Sequence, residues 1–453
     1  MPLKKIINIV SSRPFLGYPI RHIQTSPLGY RLARGVFWSM AGAVISRGLM
    51  LAATVLVARM LGKTVYGELG MIQSTVGMFG VFAGFGLGLT ATKHVAEFRQ
   101  NDPGRAGRII ALSGLFAMVT GGLMALGLLI FAPWLAEHAI NAPHLASLLR
   151  IGALILFIST LNGAQTGALS GFEAFKTIAH VNLFAGLISF PIIVAGAYFG
   201  GLTGAVWALA INLGFNWLLN HLALRKESRR HNVPFTLREC SRELSVLWSF
   251  SLPAALSGAL VTPVNWACGA LLVNRPDGYG EMGIFSAANQ WYAMLLFLPS
   301  LLGQVVLPVL SERLGQNEIK QSMKITMFAV KMNALLVIPL VLLASIASPF
   351  IMNLYGEGFR SGWPTLVVVL LTAGLLAVQI PVGQIIAASG KMWLGFAMNC
   401  GWAITFIVGT LLLLNHGSLG LATARAVGYI VHATWVSVFA IWLIRRRRHG
   451  MAR

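Results

Sequence analysis

Twelve runs of about 20 apolar residues constrain this chain more than any other feature, because each is long enough to cross a bilayer as a helix. They lie near 36–60, 70–92, 109–132, 147–170, 178–199, 203–223, 248–273, 283–309, 326–347, 364–388, 392–414 and 421–444. Lipid offers no partner for a bare backbone N–H or C=O, so such runs must be helices packed on one another. The expected fold is an all-α integral membrane protein. With 56% hydrophobic and 10% charged residues and a mean hydropathy of +0.74, the chain departs from the soluble average of roughly 25% charged.

A short segment occurs twice, 213 residues apart: Tyr66-Gly67-Glu68-Leu69-Gly70-Met71-Ile72 and Tyr279-Gly280-Glu281-Met282-Gly283-Ile284-Phe285. Trp38-Ser39 and Trp248-Ser249 precede the two copies, and Gln165 and Gln384 each stand five residues before a Ser-Gly pair. The chain therefore reads as a duplication. With six spans in each half, the copies run parallel about an axis along the membrane normal. The expected division is an interfacial or cytoplasmic arm (1–35), an N-lobe (36–223), a linker (224–246), a C-lobe (247–444) and a basic tail (445–453), the lobes enclosing a central cavity. Lys4 and Lys5 precede only a short apolar stretch broken by Pro14 and Pro19, which does not fit a secretory signal.

The net charge of +21 could suggest nucleic acid, but its placement argues against that partner. Basic residues fall in alternate loops, 26 on one side and four on the other. Under the positive-inside rule both termini are then cytoplasmic. Four basic residues remain within spans: Arg47, Arg150, Lys331 and Arg425. A cation at mid-helix costs about 2.5–3.5 kcal/mol on insertion scales and calls for a polar cavity or a partner. Snorkelling to an interface is the alternative for each. Arg47, nearest the middle of its span, is the strongest cavity candidate and Arg425 the weakest.

Amides add polar lining. Asn212, Asn216 and Asn220 share one face of the sixth span, and Asn162, Gln165, Asn265, Asn289, Gln290, Gln304, Gln379 and Gln384 are spread over both halves. Interhelical hydrogen bonding accounts for any one of them. As a set they suit a cavity for hydroxyl-rich groups, and the binding candidates are Arg47, Arg150, Lys331, Arg425, Gln165, Asn212, Asn216, Asn265, Asn289 and Gln384. Pro191, Pro253, Pro263 and Pro299 favour bends within their spans. Cys240, Cys268 and Cys400 lack metal or redox spacing. There is no nucleotide-binding glycine loop and no cluster with metal-ligand spacing, so an enzyme is not expected and no cofactor is called for.

The stretch Leu32-Ala33-Arg34-Gly35-Val36-Phe37-Trp38, followed by Ala58-Arg59-Met60-Leu61-Gly62 and Tyr66-Gly67, resembles the start of polysaccharide flippases of the O-antigen type. Leu354-Tyr355-Gly356 with Phe359, and Gly163 to Gly171 followed by Phe172, resemble later parts of that family. The resemblance implies the two-lobed fold shared with multidrug and toxin extrusion transporters, and a polyprenyl diphosphate carrying a glycan as substrate. It also implies an inner-membrane location, with a polysaccharide polymerase and glycosyltransferases as partners. The alternative is a secondary exporter of small molecules. Drug-extruding relatives would need a buried carboxylate, which no span supplies. A major facilitator is the other form of that alternative, but Asp102-Pro103-Gly104-Arg105 breaks its loop signature.

Overall fold

The computed structural model of the chain describes residues 27–84, 86–234, 240–243, 259–316 and 318–450. Trp248-Ser249, Pro253, most of the arm at 1–35 and the last residues of the tail lie outside the described residues, as do the side chains of Gln304 and of Arg445–Arg448. The described elements are helical throughout. They are α1 (Pro27–Gly84), α2 (Leu87–Phe98), α3 (Pro103–Trp134), α4 (Ala146–Gly171), α5 (Phe175–Arg230), α6 (Val261–Val273), α7 (Gly278–Gly315), α8 (Ile319–Ile346), α9 (Ser348–Leu354), α10 (Trp363–Ala388), α11 (Met392–Leu413) and α12 (Gly417–Gly450).

Two of these elements each hold two spans. The helix α1 is interrupted at Gly62 (φ 77°, ψ 169°) and α5 at Gly201 (φ 55°, ψ −135°). Positive φ is nearly free for glycine and costly for any residue with a Cβ. At Gly201 the chain folds back: a Cβ on Gly196 would come 2.6 Å from that of Ala208, so the two arms touch on either side of the turn. Gly417, at φ 59°, begins α12 in the same way. With those breaks the helices follow the twelve apolar runs in order, and seven elements are individually long and apolar enough to cross a membrane. The start of the seventh run, before Ala259, is not described.

The helices form two lobes of six spans around a central cavity. Asp102 starts α3 as an N-cap, its Oδ1 accepting from the backbone N–H of Arg105 at 2.9 Å, with Pro103 in the first turn. This is a helix-starting role for the Asp-Pro-Gly-Arg loop. The 240–243 turn is fixed to the start of α3 by Glu243, which is buried and takes Arg105 Nε at 3.0 Å and Arg108 Nη2 at 3.3 Å. Glu227, also buried, accepts from Thr177 at 2.7 Å. Residues 240–243 of the region joining the halves are thus bound to the first lobe.

The lobes meet through the duplicated motif itself. A Cβ on Gly67 would lie 2.8 Å from the backbone nitrogen of Gly283 and would overlap the carbonyl of Tyr279. The absence of side chains lets the two helix backbones touch. Lys63 Nζ pairs with Asp277 Oδ2 at 2.5 Å across the same contact, and the Tyr279 hydroxyl donates to the Ile140 carbonyl at 2.7 Å. Tyr66 packs edge-on against Phe359 of the other half, with ring centroids 6.0 Å apart.

Candidate substrate cavity

Between the lobes lies a cavity of about 380 Å³. Its walls begin at the two motif copies. Leu69 and Met282 hold equivalent places in the repeat, as do Gln73 and Ser286, and all four line the space. From α1 come Met50, Thr54 and Val57, spaced three and four apart as one helical face requires. From α6 come Thr262 and Asn265, from α7 Phe285, Asn289, Gln290 and Tyr292, and from α12 Arg425 and Tyr429. Among the described residues the lining holds hydroxyls, amides, one guanidinium and apolar side chains such as Ile193 and Leu209, and it holds no carboxylate.

Arg425 is 3% exposed. Its Nη1 donates to Asn289 Oδ1 at 2.8 Å, and its guanidinium carbon sits 4.8 Å from the Phe285 ring centre and 4.5 Å from that of Tyr292. Residues 285, 289 and 292 share one face of α7, so a single helix supplies two aromatic faces and an amide acceptor. Cation–π contact and one hydrogen bond offset part of the cost of burial, but Nε and Nη2 are buried without a protein partner. A buried charge with idle donors costs several kcal/mol unless something satisfies it. A bound anion would do so. Arg425 therefore lies in the cavity and not at an interface, although the sequence made it the weakest of the four.

Asn265 and Asn289 also line the cavity. Asn265 donates to the Val261 carbonyl at 2.7 Å, leaving its oxygen for other contacts. Arg47 is exposed and is not part of the lining. It extends the Met50–Thr54–Val57 face by one turn, and its guanidinium lies 4.1 Å over the Phe297 ring of α7. That places it at the seam between α1 and α7, one turn from the lining residue Met50. Arg150 and Lys331 are exposed and lie away from the lining.

The remaining amides hold helices together. Asn220 Nδ2 reaches Asn216 Oδ1 at 2.6 Å and Asn162 Oδ1 at 3.2 Å, and Asn162 in turn donates to the Leu213 carbonyl at 3.1 Å. Gln165 lies against Trp217, and with its amide turned end for end it donates to the Trp217 carbonyl at 3.2 Å and accepts from the indole at 3.1 Å. Gln384, its counterpart in the repeat, donates to the Gly303 carbonyl at 2.7 Å. Asn212 stands one turn beyond the lining residue Leu209, with a buried oxygen that has no partner.

Sequence reading missed several lining residues: Thr54, Tyr66, Gln73, Ser74, Thr262, Ser286, Tyr292 and Tyr429. The available signal was helical spacing from the repeated motif. Starting at Tyr66, steps of three and four reach Leu69 and Gln73, and from Met282 they reach Phe285, Asn289 and Tyr292.

Two lobes of six spans around a polar cavity define a membrane transporter fold, and solved structures share it. A multidrug resistance MATE family transporter in its inward-facing form superposes with a TM-score of 0.74 at 14% identity, covering 91% of this chain and 99% of that one. A MOP superfamily transporter from Pyrococcus furiosus gives 0.69 at 14% identity, covering 91% and 96%. Residues 32–314 match the family described as polysaccharide biosynthesis protein, and the chain belongs to that family. An EPS I polysaccharide export inner membrane protein of Ralstonia nicotianae is 25% identical over 85% of this chain and 89% of its own length. The lipid III flippase of Escherichia coli is 23% identical over 92% and 99%.

Proposed function

We propose that this protein is a flippase that moves a polyprenyl-diphosphate-linked oligosaccharide across the cytoplasmic (inner) membrane for assembly of a surface polysaccharide. The reading rests above all on Arg425, a buried cation with two idle donor atoms in a cavity that no carboxylate among the described residues lines. A guanidinium matches phosphate oxygens in charge and in planar geometry. The amides and hydroxyls that share the lining suit sugar hydroxyls. Arg47 at the α1–α7 seam meets the headgroup first, while the lipid tail stays in the bilayer between the lobes.

Carried outward against a negative cell interior, two net negative charges descend about 2 × 2.3 kcal/mol per 100 mV, so a coupling carboxylate is not required. Both termini lie in the cytoplasm in this reading, with spans 36–223 and 247–444 as the moving lobes and 224–246 as their cytoplasmic link. A polymerase and glycosyltransferases act before and after it. A cationic-drug exporter would need a negative cavity, which this lining does not offer. The test is gene deletion: one surface glycan should disappear while its lipid-linked precursor accumulates facing the cytoplasm. Intact glycans together with raised uptake of cationic dyes would overturn the assignment.

A further inference from the structure

The helix that brings Arg425 into the cavity carries two more functional groups on the same face, Tyr429 at i+4 and His432 at i+7. Tyr429 still lines the main cavity. His432 sits two turns away, beside a separate space of about 190 Å³ bounded by Gly383 and Ile386 of α10, Gly395 and Asn399 of α11, and Val436.

The His432 ring is paired with an amide in an unusual way. Its Nδ1 lies 2.9 Å from Nε2 of Gln379 on α10. An amide nitrogen only donates, so Nδ1 accepts and carries no proton in this arrangement. The other end of that amide, Gln379 Oε1, is buried and has no partner. Rotating the amide by half a turn presents Oε1 to the ring. That is the arrangement a protonated imidazole needs, since both of its nitrogens donate. The contact between the amide and Nδ1 can therefore be kept on either side of a protonation, at the cost of one amide flip.

The charges around this pair are few. The helix α10 carries no titratable side chain, and α11 carries only Cys400. Within the membrane α12 adds Arg425 and Tyr429, α7 adds Tyr292, α6 adds Cys268, and α8 adds the exposed Lys331, while Lys391, just before α11, lies over the Phe439 ring of α12 at 5.3 Å, seven residues beyond His432. Arg425 is the charge on this helix that borders the anion cavity, seven residues or about 10 Å from His432 at a rise of about 1.5 Å per residue, whereas Lys391 keeps its charge whether or not that cavity is filled.

We propose that His432 and Gln379 form a proton-binding site linked to the anion cavity, which takes up a proton when an anion occupies the space beside Arg425. The proposal rests on the anion reading of that cavity. With the cavity empty, the Arg425 cation opposes a second positive charge on its helix. An anion on Arg425 cancels this opposition and adds attraction, so proton and anion binding reinforce each other. At about 10 Å and an effective dielectric of about 20 the coupling is on the order of tenfold in either affinity.

The test is histidine-selective NMR of the full chain in lipid nanodiscs, with inorganic pyrophosphate as the probe. The His432 signal is assigned by its loss in His432→Gln or, should that variant fail to fold, in His432→Asn. The expected result is a midpoint between pH 5 and 8 that rises by about one unit with pyrophosphate bound, and no such rise in Arg425→Gln. A signal that stays constant from pH 5 to 8 overturns the site, as a ring that only exchanges tautomers would behave. Pyrophosphate binding seen by calorimetry with an unmoved midpoint overturns the linkage alone. Failure of pyrophosphate to bind at any pH overturns the anion cavity and the linkage with it.

Discussion

Gly67 and Gly283, contributed by different copies of the repeated segment, meet where the two lobes touch, so close that a Cβ on either would strike the opposing backbone. Overpacking such a contact costs about 1–3 kcal/mol. Gly67→Val is therefore expected to lower the melting temperature of the purified protein and to reduce glycan display in cells. A variant of unchanged stability and full display would show that the lobes do not need this approach.

A cysteine pair can hold the same contact shut. A Cβ built on Gly70 lies 3.1 Å from the Ser286 Cβ, slightly inside the roughly 3.5–4.5 Å span of natural disulfides. With Cys240, Cys268 and Cys400 replaced by alanine, the Gly70→Cys/Ser286→Cys double variant should crosslink under mild oxidation. Transport should stop on oxidation and return on reduction. Transport that continues in the fully crosslinked protein would mean the lobes never part here.

The Lys63–Asp277 bridge is half exposed, and such pairs contribute at most about 1 kcal/mol. Lys63→Ala and Asp277→Ala should each leave stability nearly unchanged, with a coupling below about 1 kcal/mol in a double-mutant cycle. The charge-swapped pair should transport better than either single reversal. Equal transport by all the variants would remove any gating role.

Arg425→Gln removes the cavity's charge and should cut glycan display by roughly 10-fold or more at normal protein level, given about 1.5–3 kcal/mol for charge-assisted hydrogen bonds. Arg425→Lys should restore part of it, since lysine keeps the charge and loses the planar fork. Asn289→Asp should mimic the loss, because a carboxylate 2.8 Å from the guanidinium would neutralise it. Arg47→Gln should cost less than Arg425→Gln, as its side chain stands outside the lining. Full display by well-expressed Arg425→Gln would refute an essential charge.

Reporter fusions test orientation. Segments 93–108 and 224–246 are expected in the cytoplasm and 348–362 outside, and a periplasmic reading at 224–246 would contradict the proposed parallel halves.

The spans were legible in the sequence because hydropathy over about 20 residues has one solution in lipid. The duplication was legible too, and its motif marks where the walls of the cavity start. The depth of Arg425 was not. What decides it is the pocket of Phe285, Asn289 and Tyr292, set by how α7 is rotated against α12, and that packing leaves no trace in the periodicity of either helix. Arg47 shows the reverse: a mid-span position suggested burial, while its side chain faces the seam and rests on Phe297. The amides divided for the same reason. An asparagine in a span looks alike whether it binds a neighbouring helix, as Asn162 does, or faces a cavity, as Asn265 does.

Gly62, Gly201 and Gly417 reverse the chain at the end of the molecule opposite the Glu243 anchor. Turns made on one residue leave that end with little more than helix tips, and the longer surfaces there are confined to 135–145 and 348–362. A stable protein complex usually needs about 800 Å² from each partner. A soluble partner on that side would have to rest chiefly on those two segments.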